Sequence, residues 1–302
     1  MALLIKRVVV IANPASRNGR RLAESARRSF ARRQVECDLI FTERPGHGAE
    51  LASHHAPHYD AIFALGGDGT VMEIAGALAG TDALIGVLAG GTGNLLARAL
   101  GIPLSVPKAV DKLLVGQEHL IDLGRFPSGR RFAIAAGVGI DAAMVAETPG
   151  WLKRRLGVLA YTLMGSRAAL RSVLRRDFFD ARVTVDGVVY ERRAVAVMIA
   201  NFGTVLGNRI TLGPAIRTDD GLLDACVFSP RSLRDALRIV GRLLRSRFEQ
   251  NDSSMLYARG RELRVETTPP MQWQADGELM GTTPFEVVVE PLSVRLLVPA
   301  TG

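Results

Sequence analysis

Two cysteines in 302 residues leave no basis for a disulfide framework. Cys37 and Cys226 lie far apart, each in an apolar, strand-like run, and read as buried free thiols of a reducing compartment. Aromatic residues are only 6% of the chain and nowhere interleave with basic side chains, which excludes a stacking platform for nucleic acid. No run reaches the roughly 18 uninterrupted apolar residues of a membrane span. The apolar start, residues 1–12, is broken by Lys6 and Arg7. It runs into Asn13-Pro14 with no small-residue cleavage site, so it reads as a first strand of a cytosolic protein rather than a signal peptide. No G-x-G-x-x-G follows that strand, and no G-x-x-x-x-G-K-[ST] loop occurs. His47, His54, His55 and His58 have no second cluster at metal-ligand spacing. There is no internal repeat and no low-complexity linker.

What the chain does have is apolar mass and positive charge. Hydrophobic residues make up 48%, and the length allows two domains of roughly 150 residues each. A net charge of +8 and a pI near 10.1 favour acidic partners: phosphates, nucleic acid or anionic lipid.

The centre of the first half is Gly66-Gly67-Asp68-Gly69-Thr70. An apolar run, residues 61–65, precedes it as a buried strand, and residues 71–78 follow as a helix. Glycines at such a turn leave main-chain N–H groups free for a phosphate, or simply meet the conformational needs of a tight turn. Thr70-x-x-Glu73 also fits a capping box. Around this turn the pattern alternates. Residues 7–12 are a β-branched strand, 20–33 a helix, 36–41 a strand, 49–56 a helix and 84–88 a strand. That last strand ends in Gly90-Gly91-Thr92-Gly93-Asn94 before a helix over 95–100. Alternation with short connections predicts a parallel sheet with helices on both faces, and ligands bind beyond the carboxyl ends of such strands. Asn13, Thr42, Asp68, Thr92 and Asn94 all fall at those ends.

From about residue 119 the texture changes to strand-like runs, at 120–126, 132–136, 181–185, 194–200, 222–228, 263–266, 285–289 and 294–298. Asp186-Gly187, Asp220-Gly221 and Asp276-Gly277 mark turns. The second half therefore reads as an antiparallel sandwich or open barrel, with a boundary near residue 124. Two helical inserts, 151–176 and 232–248, carry leucines at helical spacing among many arginines. Each fits either a helix covering the sheet with a solvated basic back or a helix lying on an anionic membrane. A free edge strand of this half could pair with a second copy, so a homodimer is possible. Asp122, the Asp219-Asp220-Gly221-Leu222-Leu223-Asp224 segment and Gln274-Ala275-Asp276-Gly277-Glu278 supply carboxylates of the kind that hold Mg²⁺ or accept a hydroxyl proton.

Together these motifs resemble the diacylglycerol kinase catalytic-domain family, which includes sphingosine kinases and the soluble bacterial lipid kinases. The matching segments are Asn13-Pro14-x-Ser16, Gly66-Gly67-Asp68-Gly69-Thr70-x-x-Glu73, Gly91-Thr92-Gly93-Asn94-Leu95-Leu96-Ala97-Arg98, Gly137-x-Gly139-Ile140-Asp141-Ala142, Asp220-Gly221-x-Leu223-Asp224 and Asp276-Gly277-Glu278. The Gly-Gly-Asp-Gly-Thr block is shared with NAD kinases, and the late Asp-Gly-Glu is the more specific mark. The resemblance implies an NAD kinase/diacylglycerol kinase-like fold: an α/β nucleotide-binding domain over residues 1–124 and a β-sandwich domain over 125–302, with ATP in the cleft between them. The last ten or so residues would pack back on the first domain. It implies an ATP- and Mg²⁺-dependent kinase acting on a hydroxyl of a membrane lipid such as diacylglycerol, phosphatidylglycerol or a sphingoid base. The enzyme would sit at the cytoplasmic face of an anionic membrane. Carried over by position, Gly66, Gly67, Asp68, Gly69, Thr70, Val71 and Met72 would line the ATP phosphates, with Asn13, Thr42, Thr92 and Asn94 beside them. Glu278 would accept the hydroxyl proton, with Asp276 the alternative. Asp220 would hold Mg²⁺ with the backbone carbonyls of Arg217 and Leu222, and Asp68 and Asp122 are further candidate ligands. One position departs: many bacterial diacylglycerol kinases carry Asp where this chain has Leu95, so a carboxylate network from Asp68 to Asp122 lacks its middle member. The rival readings are an NAD kinase-like nucleotide kinase and a non-catalytic nucleotide sensor at the membrane surface.

Overall fold

Five consecutive residues, Val8 to Ala12, are wholly buried, which only a strand covered on both faces allows. In the computed structural model, which describes residues 4–16, 18–139, 178–205, 210–211, 213, 216–245 and 254–300, this strand is β1 (Arg7–Ala12). It is followed by α1 (Gly19–Arg32), β2 (Glu36–Phe41), α2 (His47–His55), β3 (Ala61–Gly66), α3 (Asp68–Ala77), β4 (Leu84–Ala89), α4 (Leu95–Ala99), α5 (Val106–Leu114) and β5 (Gln117–Arg125). The chain divides into two compact units, Met1–Ile121 with Leu292–Gly302, and Asp122–Pro291.

In the first unit the parallel strands run in the order β2-β1-β3-β4, and Arg295 and Leu296 of the last strand continue it beside β4. Helix α1 packs on α5 and α2 on α3. The parallel β-α alternation expected from the sequence is present. The capping box is not: α3 begins at Asp68 behind Gly67 and has no side-chain cap. Glu73 instead accepts the N–H of Gly46 at 2.9 Å, tying α3 to the loop after β2.

The second unit continues with β6 (Arg131–Phe132), β7 (Ala135–Gly139), β8 (Phe179–Val185), β9 (Val188–Ala194), β10 (Ala196–Ala200), β11 (Thr204–Val205), β12 (Ile210–Thr211) and β13 (Leu223–Phe228). Then come α6 (Leu233–Arg245), β14 (Met255–Gly260), β15 (Glu262–Thr268), β16 (Gln272–Ala275), β17 (Glu278–Thr282) and β18 (Phe285–Val298). One antiparallel sheet runs β14-β13-β10-β7-β16-β17, and a second joins β9, β8, β15 and the first half of β18. The alternate residues of their facing sides form one core, including Val138, Val197, Ile199, Ala225, Val183, Val265 and Val287. This is the antiparallel sandwich. Ile239 of α6 packs with Cys226 and Phe228 on the other face of the six-stranded sheet.

Four runs differ from their sequence reading. Residues 285–289 and 294–298 belong to one strand, β18. The run 194–200 changes sheets at Val195, which separates β9 from β10. The run 132–136 breaks between β6 and β7, where the N–H groups of Ala133, Ile134 and Ala135 turn to the Asp276 carboxylate instead of a neighbouring strand. The insert over 151–176 lies outside the described residues, as does the Ile140-Asp141-Ala142 part of its preceding motif.

Candidate active site

The two glycine loops of the first unit are built against each other. Gly90 N donates to Gly66 O at 2.8 Å. A Cβ on Gly91 would lie 2.5 Å from the Gly67 Cα, so the two main chains touch where no side chain fits. Asn94, in the left-handed region, closes the second loop on itself: its Oδ1 accepts Gly91 N and its Nδ2 donates to Gly91 O, both at 2.9 Å. Asp68 joins the loops. Its Oδ1 accepts the N–H of Leu95 at 2.6 Å and of Leu96 at 3.4 Å, the open donors at the start of α4. Burial raises the Asp68 carboxyl above its ordinary value, and these main-chain donors pull it back. Asn13 completes the frame, with its N–H on Leu65 O at 2.9 Å and its Nδ2 on Thr70 Oγ1 at 3.1 Å. Thr42 is buried at the end of β2 with its N–H on Ala12 O.

Asn13, Thr42, Gly66 to Thr70 and the second loop with Thr92 and Asn94 are thus placed at the carboxyl ends of adjacent strands. The first-turn N–H groups of α3 have no intrahelical acceptor and no side-chain cap, and Gly69 is exposed beside them. Val71 differs from expectation. Its side chain is in the core and its N–H already bonds Gly67 O at 3.1 Å, so it has nothing left to give a phosphate. Met72 is half-buried in the same helix.

In the second unit Asp276 sits in the left-handed region at the β16–β17 turn. Its Oδ2 accepts Ala133 N at 2.8 Å, and its Oδ1 accepts Ile134 N at 2.9 Å and Ala135 N at 3.1 Å. Three N–H donors occupy both oxygens, which makes Asp276 an anchor for the β6–β7 link. Glu278, two residues on, is exposed and pairs with Arg130 at 2.7 Å. Asn201 was not singled out by sequence reasoning. It is fully buried, and its Nδ2 bridges Asp122 O at 2.7 Å and Ala133 O at 2.9 Å, joining Asp122 to the segment that Asp276 holds. The only sequence signal was a polar residue ending an apolar run.

Both expected carboxylate ligands of this unit have protein partners, and none of these contacts involves the backbone carbonyls of Arg217 and Leu222. Asp220 Oδ2 is paired with Arg259 at 2.8 Å, its Oδ1 accepts Leu222 N at 3.2 Å, and the exposed Arg217 pairs with Asp219 at 3.1 Å. The Arg259 guanidinium thus lies against the carboxylate expected to hold Mg²⁺. Asp122 is wholly buried with Oδ2 on Gly221 N at 2.7 Å, closed to a cation that keeps its waters. Among the described residues no three His, Cys, Asp or Glu side chains converge as a metal site. Asp68 fits better, because Mg²⁺ on a nucleotide asks for one or two carboxylates besides phosphate and water.

Comparison with known proteins covers both units. Residues 7–126 match the family model of the diacylglycerol kinase catalytic domain, and residues 133–298 that of the YegS C-terminal NAD kinase beta sandwich-like domain. The Bacillus subtilis (strain 168) diacylglycerol kinase is 29% identical over 303 residues, 98% of this chain and 97% of that one. An uncharacterized Synechocystis protein is 33% identical over 241 residues, 79% of this chain; that stretch spans 54% of its own length. The crystal structure of a Bacillus anthracis diacylglycerol kinase superposes with a TM-score of 0.73 at 20% identity, covering 97% of this chain and 96% of that one, a likeness of fold.

Proposed function

Since the chain belongs to the diacylglycerol kinase catalytic-domain family, the ATP- and Mg²⁺-dependent lipid kinases, we propose that it phosphorylates a hydroxyl of a diacylglycerol-like lipid with Glu278 as proton acceptor. The observation that carries this reading is the joined pair of glycine loops, with the open N-terminus of α3 between strand ends and Asp68 binding one loop to the other. Gly66, Gly67, Gly69 and Thr70 hold the triphosphate by main-chain N–H groups, and Asn13, Thr42, Thr92 and Asn94 shape the rim. Asp68 would be the protein carboxylate that holds Mg²⁺ beside the nucleotide, and the ion would supply charge neutralisation for the transferring group. The lipid O–H gives its proton to the Glu278 carboxylate as its oxygen bonds the γ-phosphorus, and the bond from that phosphorus to the β–γ bridging oxygen breaks to leave ADP. Asp276 holds the hairpin that carries Glu278.

The lipid substrate implies work at a membrane surface. No helix among the described residues is long and apolar enough to cross one. Helix α6 supports a peripheral contact, since it turns Arg234, Leu237 and Arg238 to solvent, Leu237 with 63% exposure. The edge of β9, which has no further strand beside it among the described residues and has Val188 and Val189 exposed, is a candidate surface for pairing with a second copy.

The test is ADP release by purified protein with ATP and Mg²⁺ over mixed micelles of diacylglycerol, monoacylglycerol, phosphatidylglycerol, sphingosine and ceramide, with NAD as control. Turnover on a lipid alcohol supports the reading. Turnover on NAD alone overturns it.

A further inference from the structure

The link between β5 and β6 closes as a tight loop, with Phe126 N donating to Arg130 O at 2.9 Å. Beside it, within the second unit, lies an open pocket of about 390 Å³. Its apolar lining includes Phe126, Trp273, Met280 and Phe285, and its charged lining residues are Arg130, Arg264 and Glu286. The Trp273 and Phe285 rings stack at 4.4 Å between centroids, and Phe126 lies 4.9 Å from Trp273. The volume is in the range of small-molecule sites, roughly 300–1,000 Å³, and the walls suit hydrocarbon.

The two lining arginines differ. Arg264 is held by both Glu266 and Glu286. Arg130 has one ion-pair partner among the described residues, Glu278, and both side chains are about half exposed. An exposed pair of this kind is weak and exchangeable. A phosphomonoester brings close to two charges and three acceptor oxygens, enough to take a guanidinium from a single carboxylate. An uncharged lipid alcohol has no such claim on it.

We infer that this pocket binds a lipid phosphomonoester, with its apolar chain against Trp273, Phe285 and Met280 and its phosphate on Arg130 in place of Glu278. The site takes the class of molecule that a lipid kinase makes rather than the one it consumes. Arg130 is then the residue for which the product competes with Glu278. The binding stands on the pocket and the ion pair; its consequence, inhibition by product, rests on the reading of Glu278 as proton acceptor.

The experiment uses the full chain with Trp151→Phe, which leaves Trp273 as its one tryptophan. Its fluorescence is followed without nucleotide during titration with a short-chain lysophosphatidate below its micelle concentration. A saturable change is expected. Arg130→Gln should weaken it about tenfold or more, and Glu278→Gln, by removing the competitor, should tighten it several-fold. Monoacylglycerol of the same chain length should bind about tenfold or more weakly, and inorganic phosphate should leave the fluorescence unmoved. The proposal is overturned by unchanged binding in Arg130→Gln, by no tightening in Glu278→Gln, by monoacylglycerol matching the phosphomonoester, or by phosphate alone reproducing the effect. Calorimetric titration of the wild-type chain and Arg130→Gln gives the same decision without the Trp151 substitution. Turnover of Glu278→Gln on a lipid alcohol reads the proton-acceptor role separately. Full turnover there ends that role and leaves the binding result standing.

Discussion

Asp68 of the first glycine loop caps the helix after the second: its Oδ1 accepts the N–H of Leu95 at 2.6 Å. The carboxylate therefore does mechanical work, beside the nucleotide role proposed for it. Removing it frees α4 from α3 and leaves two part-buried donors open. Asp68→Ala is expected to lower stability by about 0.5–2 kcal/mol, the usual cost of a lost N-terminal cap, and to lower kcat at least about a hundredfold. Urea unfolding and ADP release check the two effects. Full activity in the variant would remove Asp68 from the nucleotide site.

The two carboxylates of the β16–β17 hairpin should separate by measurement. Asp276→Ala strands three main-chain N–H groups and is expected to cost several kcal/mol, at about 1–3 kcal/mol for each buried donor left unpaired. Glu278→Gln changes an exposed side chain and should stay within about 0.5 kcal/mol of wild type while losing most turnover. Thermal or urea unfolding beside lipid kinase assays distinguishes them. A Glu278→Gln enzyme with normal kcat would show that the proton leaves by another route.

Gly91→Ala probes the contact between the loops. The added Cβ would fall 2.5 Å from the Gly67 main chain, so one loop must move. ATP binding measured by calorimetry should weaken at least about tenfold, with the second unit unaffected. Wild-type affinity would mean that the loops part without disturbing the phosphate site.

Asp224 gives a pH signature. It is wholly buried on β13, and burial raises its carboxyl above the ordinary value against the pull of the Tyr257 hydroxyl and the Arg259 guanidinium. The folded chain then holds this proton more tightly than the unfolded one. Its contribution to stability is lost as pH rises from the ordinary carboxyl value through the raised one. Wild type should therefore lose stability relative to Asp224→Asn as pH rises across that window. Urea midpoints of both proteins from about pH 4 to pH 8 test this, and a difference that does not move with pH would contradict it.

The outward face of α6 is tested with vesicles. Charge reversal in the double variant Arg234→Glu/Arg238→Glu should reduce co-sedimentation with anionic vesicles by an order of magnitude or more, at about 1 kcal/mol per basic residue near such a surface. Neutral vesicles should not separate the two proteins. Equal binding to anionic vesicles would move the membrane contact elsewhere.

The sequence by itself determined the elements whose signal is local. A β-branched run such as Val8–Val10 can only be buried, and glycines at the end of a strand can only be a turn, so the parallel sheet, its two glycine loops and the strand-rich second half were legible from periodicity and turn chemistry. Motif order then carried the kinase family, and the family models match it on residues 7–126 and 133–298. What the tertiary structure alone decided is which polar groups meet. Asp220 faces Arg259, which is 39 residues away, Asp276 faces Ala133 across more than a hundred, and Asn201 joins Asp122 to that same segment. No local pattern records such pairings. A carboxylate reads the same in sequence whether its oxygens are open to a cation, spent on three N–H donors or paired with a guanidinium, and only the folded chain brings the partner that makes the difference.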